Sequence, residues 1–319
     1  MNTYLVPGAA GFIGSKTVDL LLKQGSRVVG VDNLNDYYDV RLKKLRLDRL
    51  LRREGFEFFE LDIESREALT PHFERNEFDG VVNLAARAGM RYSVENPYIY
   101  FSTNVGGVLN LLELMKTYRV PKLVLASTSS LYAGLPVPFT EELPVNTPIS
   151  PYAASKKAAE VLAYTYHQLY GIDISILRYF TVYGPAGRPD MLIYRAIRSI
   201  AEGDTLTLYG DGEQSRDFTY LDDIAAGTVL ALRKVGYEII NLGGGKSPVS
   251  INRVIDFVED AIGRKAIIVH KPFPDADMRD TWADISKAEE LLGWKPAVGV
   301  EEGLRRSIEW YMENREELK

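Results

Sequence analysis

The stretch Gly8-Ala9-Ala10-Gly11-Phe12-Ile13-Gly14, entered from the apolar run Tyr4-Leu5-Val6-Pro7, decides how the rest of the chain is read. A short apolar run that stops at glycines and gives way to helical periodicity (Val18, Leu21, Leu22) predicts strand, tight turn and helix. The glycines allow a sharp turn and close backbone approach, and the following helix presents free N–H groups at its positive end. A diphosphate fits there. The spacing is GxxGxxG rather than GxGxxG, and glycines also serve ordinary turns, so context has to carry the reading. Asp32 supplies it by closing the next predicted strand, 18 positions after Gly14. A carboxylate there accepts hydrogen bonds from an adenosine ribose diol and repels a 2′-phosphate, which predicts NAD rather than NADP. The alternative for Asp32 is a helix cap or a solvated turn.

Working outward, short apolar runs at 4–7, 27–31, 56–61, 80–83, 122–126, 174–179 and 238–241 alternate with longer amphipathic stretches. Buried strands separated by helices imply βαβ units and a parallel sheet covered on both faces. The fold class predicted is α/β, a Rossmann-type doubly wound parallel sheet with a smaller C-terminal α/β substrate-binding domain. The NAD-binding part spans 1–180, with a strand returning near 238–241, and 181–319 is mostly the second domain. Gly184-Pro185-Ala186-Gly187-Arg188-Pro189 marks the change. Helices follow at 190–201, 222–234, 251–262, 285–292 and 300–313, with a strand at 266–270.

Composition narrows the function classes. The chain has 319 residues, net charge −6, 46% hydrophobic and 26% charged residues, and no basic stripe, which argues against nucleic acid. With no cysteine, disulfides, thiolate nucleophiles and cysteine metal sites are excluded. His72, His167 and His270 are scattered without metal-binding spacing, so no metal site is expected. The N-terminal apolar run is too short for a signal peptide or a membrane span, and a cytoplasmic protein is the reading.

The chemistry is signalled by Tyr152-Ala153-Ala154-Ser155-Lys156, downstream of the hydroxyl-rich strand end Ser127-Thr128-Ser129-Ser130. Residues four apart on a helix share a face, about 6 Å apart along the axis. Tyr152 and Lys156 can therefore address one spot. A phenol titrates near ~10 and is a poor base at neutral pH, but a nearby ammonium stabilises the phenolate. Such a tyrosine can take a proton from a sugar hydroxyl while hydride leaves the same carbon. A YxxxK unit alone also occurs by chance on helix surfaces. Asp62 ends the third strand, where a carboxylate reaches adenine, and Asn83-Leu84-Ala85-Ala86 ends the fourth, where small residues let a dinucleotide lie close. The expected cofactor set is Gly8, Gly11, Phe12, Ile13, Gly14, Asp32, Asp62, Ile63, Leu84, Ala85, Ala86, Tyr152, Lys156 and Tyr179.

Longer strings carry a family resemblance over the whole chain: GAAGFIGS (8–15), ASTSSLY (126–132), YAASK (152–156), RYFTVYGP (178–185) and GEQSRDFTYLDDI (212–224). The chain resembles an extended short-chain dehydrogenase/reductase of the nucleotide-sugar epimerase group. Through NDYYDVRLKKLRL (35–47), AGMRYSVENPY (88–98) and PAGRPDM (185–191) it is most similar to UDP-glucuronate 4-epimerases. The resemblance implies a tightly held NAD, a UDP-sugar substrate, a homodimer, and inversion at C4 through a transient ketone. It makes Tyr152 the base, Lys156 the group that bonds the nicotinamide ribose and lowers the tyrosine pKa, and Thr128 the hydroxyl on the reacting oxygen. Three positions depart from the family pattern: Pro7 stands for a usual threonine, Arg87 for a frequent glutamine, and Ala133 for a usual glycine.

Decarboxylases of this fold place Glu at the position of Ser130, and 4,6-dehydratases an Asp-Glu pair at Ser129-Ser130. Here both are neutral hydroxyls, which cannot act as a dehydratase pair but can donate to a carboxylate. Ser129, Ser130 and Thr181 are therefore expected around the C6 carboxylate, the alternative being that they cap strand ends. Arg216 is expected on the UDP diphosphate, with Arg188 and Asp277 near the nucleotide and Arg279 a further candidate. Arg87 joins this substrate set because it bears on how sugar or cofactor phosphates are held. The other readings are a UDP-glucose or UDP-N-acetylglucosamine 4-epimerase, a UDP-glucuronate decarboxylase, and a non-catalytic NAD-binding protein. Helices at 104–118 and 152–170 carry apolar residues over wide arcs and either pair across a two-fold axis or simply cover the sheet.

Overall fold

The computed structural model describes residues 1–246, 248–274 and 277–318. Six strands, β1 (Thr3–Pro7), β2 (Arg27–Asp32), β3 (Phe56–Glu60), β4 (Gly80–Asn83), β5 (Lys122–Thr128) and β6 (Asp173–Tyr179), build most of the central sheet. Three short pairs lie apart from it: β7 (Thr181–Tyr183) with β10 (Phe218–Tyr220), β8 (Thr205–Tyr209) with β13 (Ile267–Lys271), and β9 (Ser215–Arg216) with β12 (Val249–Ser250). The seventh sheet strand, β11 (Tyr237–Leu242), returns beside β6.

The sheet order is β11-β6-β5-β4-β1-β2-β3 and every pairing in it is parallel. β4 and β5 are buried at every residue, as strands covered on both faces must be. The order reverses between β1 and β4, and the crevice at the carboxyl ends of those strands is where ligands enter such a sheet.

The helices are α1 (Phe12–Lys23), α2 (Val40–Leu51), α3 (Arg66–Arg75), α4 (Met90–Glu95), α5 (Pro97–Phe101), α6 (Val108–Tyr118), α7 (Pro151–Tyr170), α8 (Leu192–Glu202), α9 (Leu221–Leu230), α10 (Ile251–Ile262), α11 (Ser286–Leu292) and α12 (Val300–Leu318). Val18, Leu21, Ile224 and Val229 bring α1 and α9 onto one face of the sheet. Leu69, Leu111, Met115, Ala159 and Ala163 bring α3, α6 and α7 onto the other. A separate apolar cluster joins α8, α10 and α12 in the C-terminal part.

Two glycines make the first turn possible. Gly8 sits at φ +83°, and a Cβ there would fall 2.6 Å from the backbone of Leu84 and Ala85. A Cβ on Gly14 would lie 1.9 Å from the Gly8 carbonyl oxygen, so α1 could not start so close to β1. Pro7 is tolerated because its carbonyl still accepts the Leu84 N–H at 2.9 Å, while Gly8 N–H reaches Val31 at 2.7 Å. Ala133 has φ −53°, and Gly134 beside it takes the left-handed position at φ +83°. Neither departure disturbs the backbone.

Three expected helices differ from their sequence boundaries by more than two residues. The one predicted over 104–118 opens as a π-helical turn, Ser102–Gly107, before α6. Asn104 is held there by Arg87 and Ser155, and a Cβ on Gly107 would meet Ile63 at 2.5 Å. The helix predicted over 222–234 stops at Leu230, because the Asp173 carboxylate accepts the N–H groups of Val235 (3.0 Å) and Gly236 (2.7 Å) and turns the chain into β11. α12 runs on to Leu318, beyond the expected 313. No described helix is long and apolar enough to cross a membrane.

Candidate active site

A cavity of ≈ 600 Å³ opens at the carboxyl ends of β1, β2, β4, β5 and β6 and extends under the C-terminal part. The sheet side is walled by Gly8, Gly11, Phe12, Ile13, Gly14, Asp32, Asp62, Ile63, Leu84, Ala85 and Ala86. Thr128, Tyr152, Lys156 and Tyr179 follow, and then Arg87, Ser129, Ser130, Thr181, Arg188, Arg216 and Asp277. Arg279 does not line it. That guanidinium is 69% exposed and pairs with Asp211 at 3.3 Å, so the sequence expectation for it is corrected.

At the glycine turn, no side chain among the described residues caps the N-terminus of α1, which leaves its first N–H groups for an anion. The Asp32 carboxylate accepts the Leu34 N–H at 2.9 Å and has Lys43 at 3.7 Å. Its remaining lone pairs are open to a diol. Asp62 is steadied by Asn33 Nδ2 (2.6 Å) and the Glu64 N–H (2.9 Å). A capless helix start, a carboxylate at the end of the second strand and close backbone approach are the donor and acceptor set that a dinucleotide requires.

Tyr152 and Lys156 start α7, which Ser150 caps by accepting the Ala153 N–H at 3.2 Å. Lys156 Nζ donates to the Ala126 carbonyl of β5 at 3.0 Å. Burial lowers the ammonium to about 8, while the Glu160 carboxylate one turn on opposes the fall. Glu160 is itself buried, accepting from Ser127 Oγ at 2.6 Å and from both Arg178 Nε (3.0 Å) and Nη2 (2.8 Å). Burial pushes the Tyr152 phenol above its ordinary value, and the Thr128 hydroxyl and Arg188 guanidinium pull it back. The Tyr100 ring meets that of Tyr152 edge-on at 6.0 Å.

Thr128 ends β5, donating from Oγ1 to Ser130 Oγ and accepting the Ser130 N–H, both at 3.1 Å. Arg188 lines the cavity on the Tyr152 side. It pairs with Asp190 at 2.6 Å, has the Tyr37 ring at 5.8 Å, and is near enough to Tyr152 to act on its proton. Arg216 and Asp277 meet each other at 3.0 Å.

Sequence reasoning missed several side chains that line the cavity: Asn33, Tyr37, Tyr38, Lys43, Arg91, Arg195 and Tyr209. Arg91 lies 3.8 Å over the Tyr209 ring. It also missed Asn104, which fixes both backbone groups of Arg87 and donates to Ser155 Oγ at 2.9 Å, itself bonded to the Tyr152 carbonyl at 2.8 Å. Tyr37 and Lys43 fall within the string at 35–47, so that string held their signal.

The profile of the NAD dependent epimerase/dehydratase family matches residues 4–243. The UDP-glucuronate 4-epimerase of Thermodesulfobacterium geofontis (strain OPF15) is 57% identical over 100% of this chain and 99% of its own length. The crystal structure of a UDP-glucuronic acid 4-epimerase from Bacillus cereus in complex with UDP-glucuronic acid and NAD is 37% identical, with TM-score 0.90, over 98% of this chain and 99% of that one. A UDP-glucose 4-epimerase from Thermotoga maritima, solved with UDP-glucose, is 33% identical with TM-score 0.89, over 99% of this chain and 100% of that one. Together with the glycine turn, Asp32 and the Tyr152–Lys156 helix face, these matches establish that the chain belongs to the NAD dependent epimerase/dehydratase family.

Proposed function

We propose that this protein is a UDP-glucuronate 4-epimerase, interconverting UDP-glucuronate and UDP-galacturonate by inverting C4 through a 4-keto sugar. The observation that carries the reading is the shared cavity. The Tyr152 phenol, the glycine turn and a neutral hydroxyl group, Ser129, Ser130 and Thr181, all face it, with the Arg188 guanidinium close to the phenol. In this reading residues 1–180 with the strand at 237–242 hold the dinucleotide, and most of 181–319 holds UDP. NAD, when bound, supplies the two-electron acceptor for C4 and returns what it took, so it need not leave between turnovers.

The chain's own residues place the sugar and move one proton. Tyr152 takes the proton from O4 and gives it back after the ketone has turned over. Thr128 holds the same oxygen, and the Lys156 ammonium stabilises the phenolate. Arg216 and Asp277 meet the UDP. The 4-keto sugar is a β-keto acid at C6 and loses CO₂ when its C5–C6 bond aligns with the ketone π system. Ser129, Ser130 and Thr181, with Arg188 as the charge partner, hold the carboxylate out of that alignment.

Purified protein given UDP-glucuronate is expected to yield UDP-galacturonate by NMR, with UDP-glucose converted far more slowly. Thr181→Ala and Ser130→Glu are expected to release UDP-pentose, seen by mass spectrometry, at least tenfold above the wild-type level. Conversion of UDP-glucose but not UDP-glucuronate would overturn the substrate assignment. No rise in UDP-pentose in either variant would overturn the role given to the hydroxyls.

The same proposal includes a cytoplasmic location, which the lack of cysteine permits, and a homodimer through α6 and α7. Leu109 on α6 and Val161 on α7 are 39% and 55% exposed, more than a free apolar face favours. Light scattering is expected to give twice 35.8 kDa for the wild type and a monomer for Leu109→Glu/Val161→Glu. A monomeric wild type would refute the pairing.

A further inference from the structure

Arg87 stands just beyond the carboxyl end of β4, three residues after Leu84, whose backbone abuts Gly8. Its main chain is fixed, the N–H donating to Asn104 Oδ1 at 2.9 Å and the carbonyl accepting Asn104 Nδ2 at 3.0 Å. The side chain therefore projects from a rigid base. It lines the cavity, and its Nε is sealed from solvent without an acceptor among the described residues. An unmade hydrogen bond on a cation is costly, more so than on a neutral group.

The neighbourhood adds positive charge rather than relieving it. Lys43 on α2 lines the same wall with its side chain 6% exposed, and burial, Arg87 and Arg46 all disfavour its ammonium. Asp32, at 3.7 Å, is the carboxylate that opposes them. Arg46 is already committed, donating to the Ala186 carbonyl at 2.6 Å and the Tyr38 hydroxyl at 2.7 Å. So one guanidinium with an unpaired Nε and one buried ammonium line the cavity that the start of α1 also lines. A second cationic group, Arg91 over the Tyr209 ring with Arg195 and Arg216 near it, lines the same cavity. Two groups of cations suit two diphosphates, one for each nucleotide.

We propose that Arg87 is a cofactor-retention residue, its guanidinium clamping the diphosphate of the dinucleotide over the glycine turn together with Lys43. The inference rests on the proposed NAD-dependent reading and assigns Arg87 to the cofactor, away from the sugar nucleotide. A planar guanidinium can bridge two diphosphate oxygens, which a glutamine cannot.

The test is direct binding to cofactor-stripped protein, without sugar, so that failure to epimerise UDP-glucuronate would leave it readable. Arg87→Gln is expected to weaken NAD and ADP-ribose at least tenfold and to flatten the salt dependence of their dissociation constants. AMP, which lacks the diphosphate, should bind within twofold of wild type, and Arg87→Lys should recover part of the NAD loss. A merely structural role would weaken AMP as well. NAD binding within twofold of wild type in Arg87→Gln overturns the proposal. An increase confined to the dissociation constant of UDP also overturns it, by placing the guanidinium on the other diphosphate.

Discussion

Tyr152→Phe is expected to lower turnover of UDP-glucuronate by about 10³-fold, within the range that removal of a positioned acid–base group costs. The substitution removes one oxygen and keeps the ring. The edge-on contact with Tyr100 remains, as does the main-chain carbonyl that accepts Ser155 Oγ, so α7 keeps its place. Cofactor content and melting temperature should therefore match the wild type, separating lost chemistry from lost structure. The size of the effect follows from how the phenol is held. Burial pushes its pKa up, and the Thr128 hydroxyl and the Arg188 guanidinium oppose that. Without bound ligands the phenolate is scarce at neutral pH, and the rate should rise with pH as it forms. In Tyr152→Phe that rise should vanish along with the turnover. Turnover above a tenth of wild type, measured by NMR with UDP-glucuronate, would remove Tyr152 from the chemistry.

How far this site could be read in the sequence depends on what fixes each side chain. Gly8, Gly14 and Asp32 are local: the turn excludes a Cβ, and the strand end sets the carboxylate. Their places follow from strand, turn and helix alone. Tyr152, Lys156 and Thr128 needed only one helix face and one strand end, and the parallel pairing of β5 with β6 places both beside the same crevice. The substrate side was less legible. Arg188, Arg216, Asp277 and Arg279 all come from the irregular C-terminal part, whose strand pairs β7–β10, β9–β12 and β8–β13 are two to five residues long. Pairs so short leave little periodicity in a sequence. Arg188 is placed by a turn at 184–188 that Arg46 holds through the Ala186 carbonyl, a contact distant in sequence that leaves no local signal. Arg279 went to solvent. Asn104 was invisible for another reason: a polar residue inside a helical pattern gives no sign that a π-turn will aim it inward.

Lys156→Met sets function against stability. The ammonium is held near 8, against its ordinary 10.5, by burial. A lysine whose folded pKa lies below its unfolded one binds fewer protons in the native state between those two values. Native stability then rises as pH climbs from about 8 to 10.5, and the full penalty applies below 8. At pH 7 that penalty is on the order of 3 kcal/mol, set against ~1 kcal/mol for the lost hydrogen bond to the Ala126 carbonyl. Methionine fills similar space without charge. The cofactor-free variant is therefore expected to melt a few degrees above the wild type at pH 7, and the advantage should disappear near pH 10. Turnover should fall at least 10²-fold in the proposed mechanism, where the Lys156 ammonium supports the Tyr152 phenolate. Calorimetry at the two pH values reads the first effect, and NMR of the sugar nucleotide reads the second. A variant that melts below the wild type at pH 7 would show that burial of this ammonium is compensated, with Glu160 holding it more firmly than its position one turn away implies.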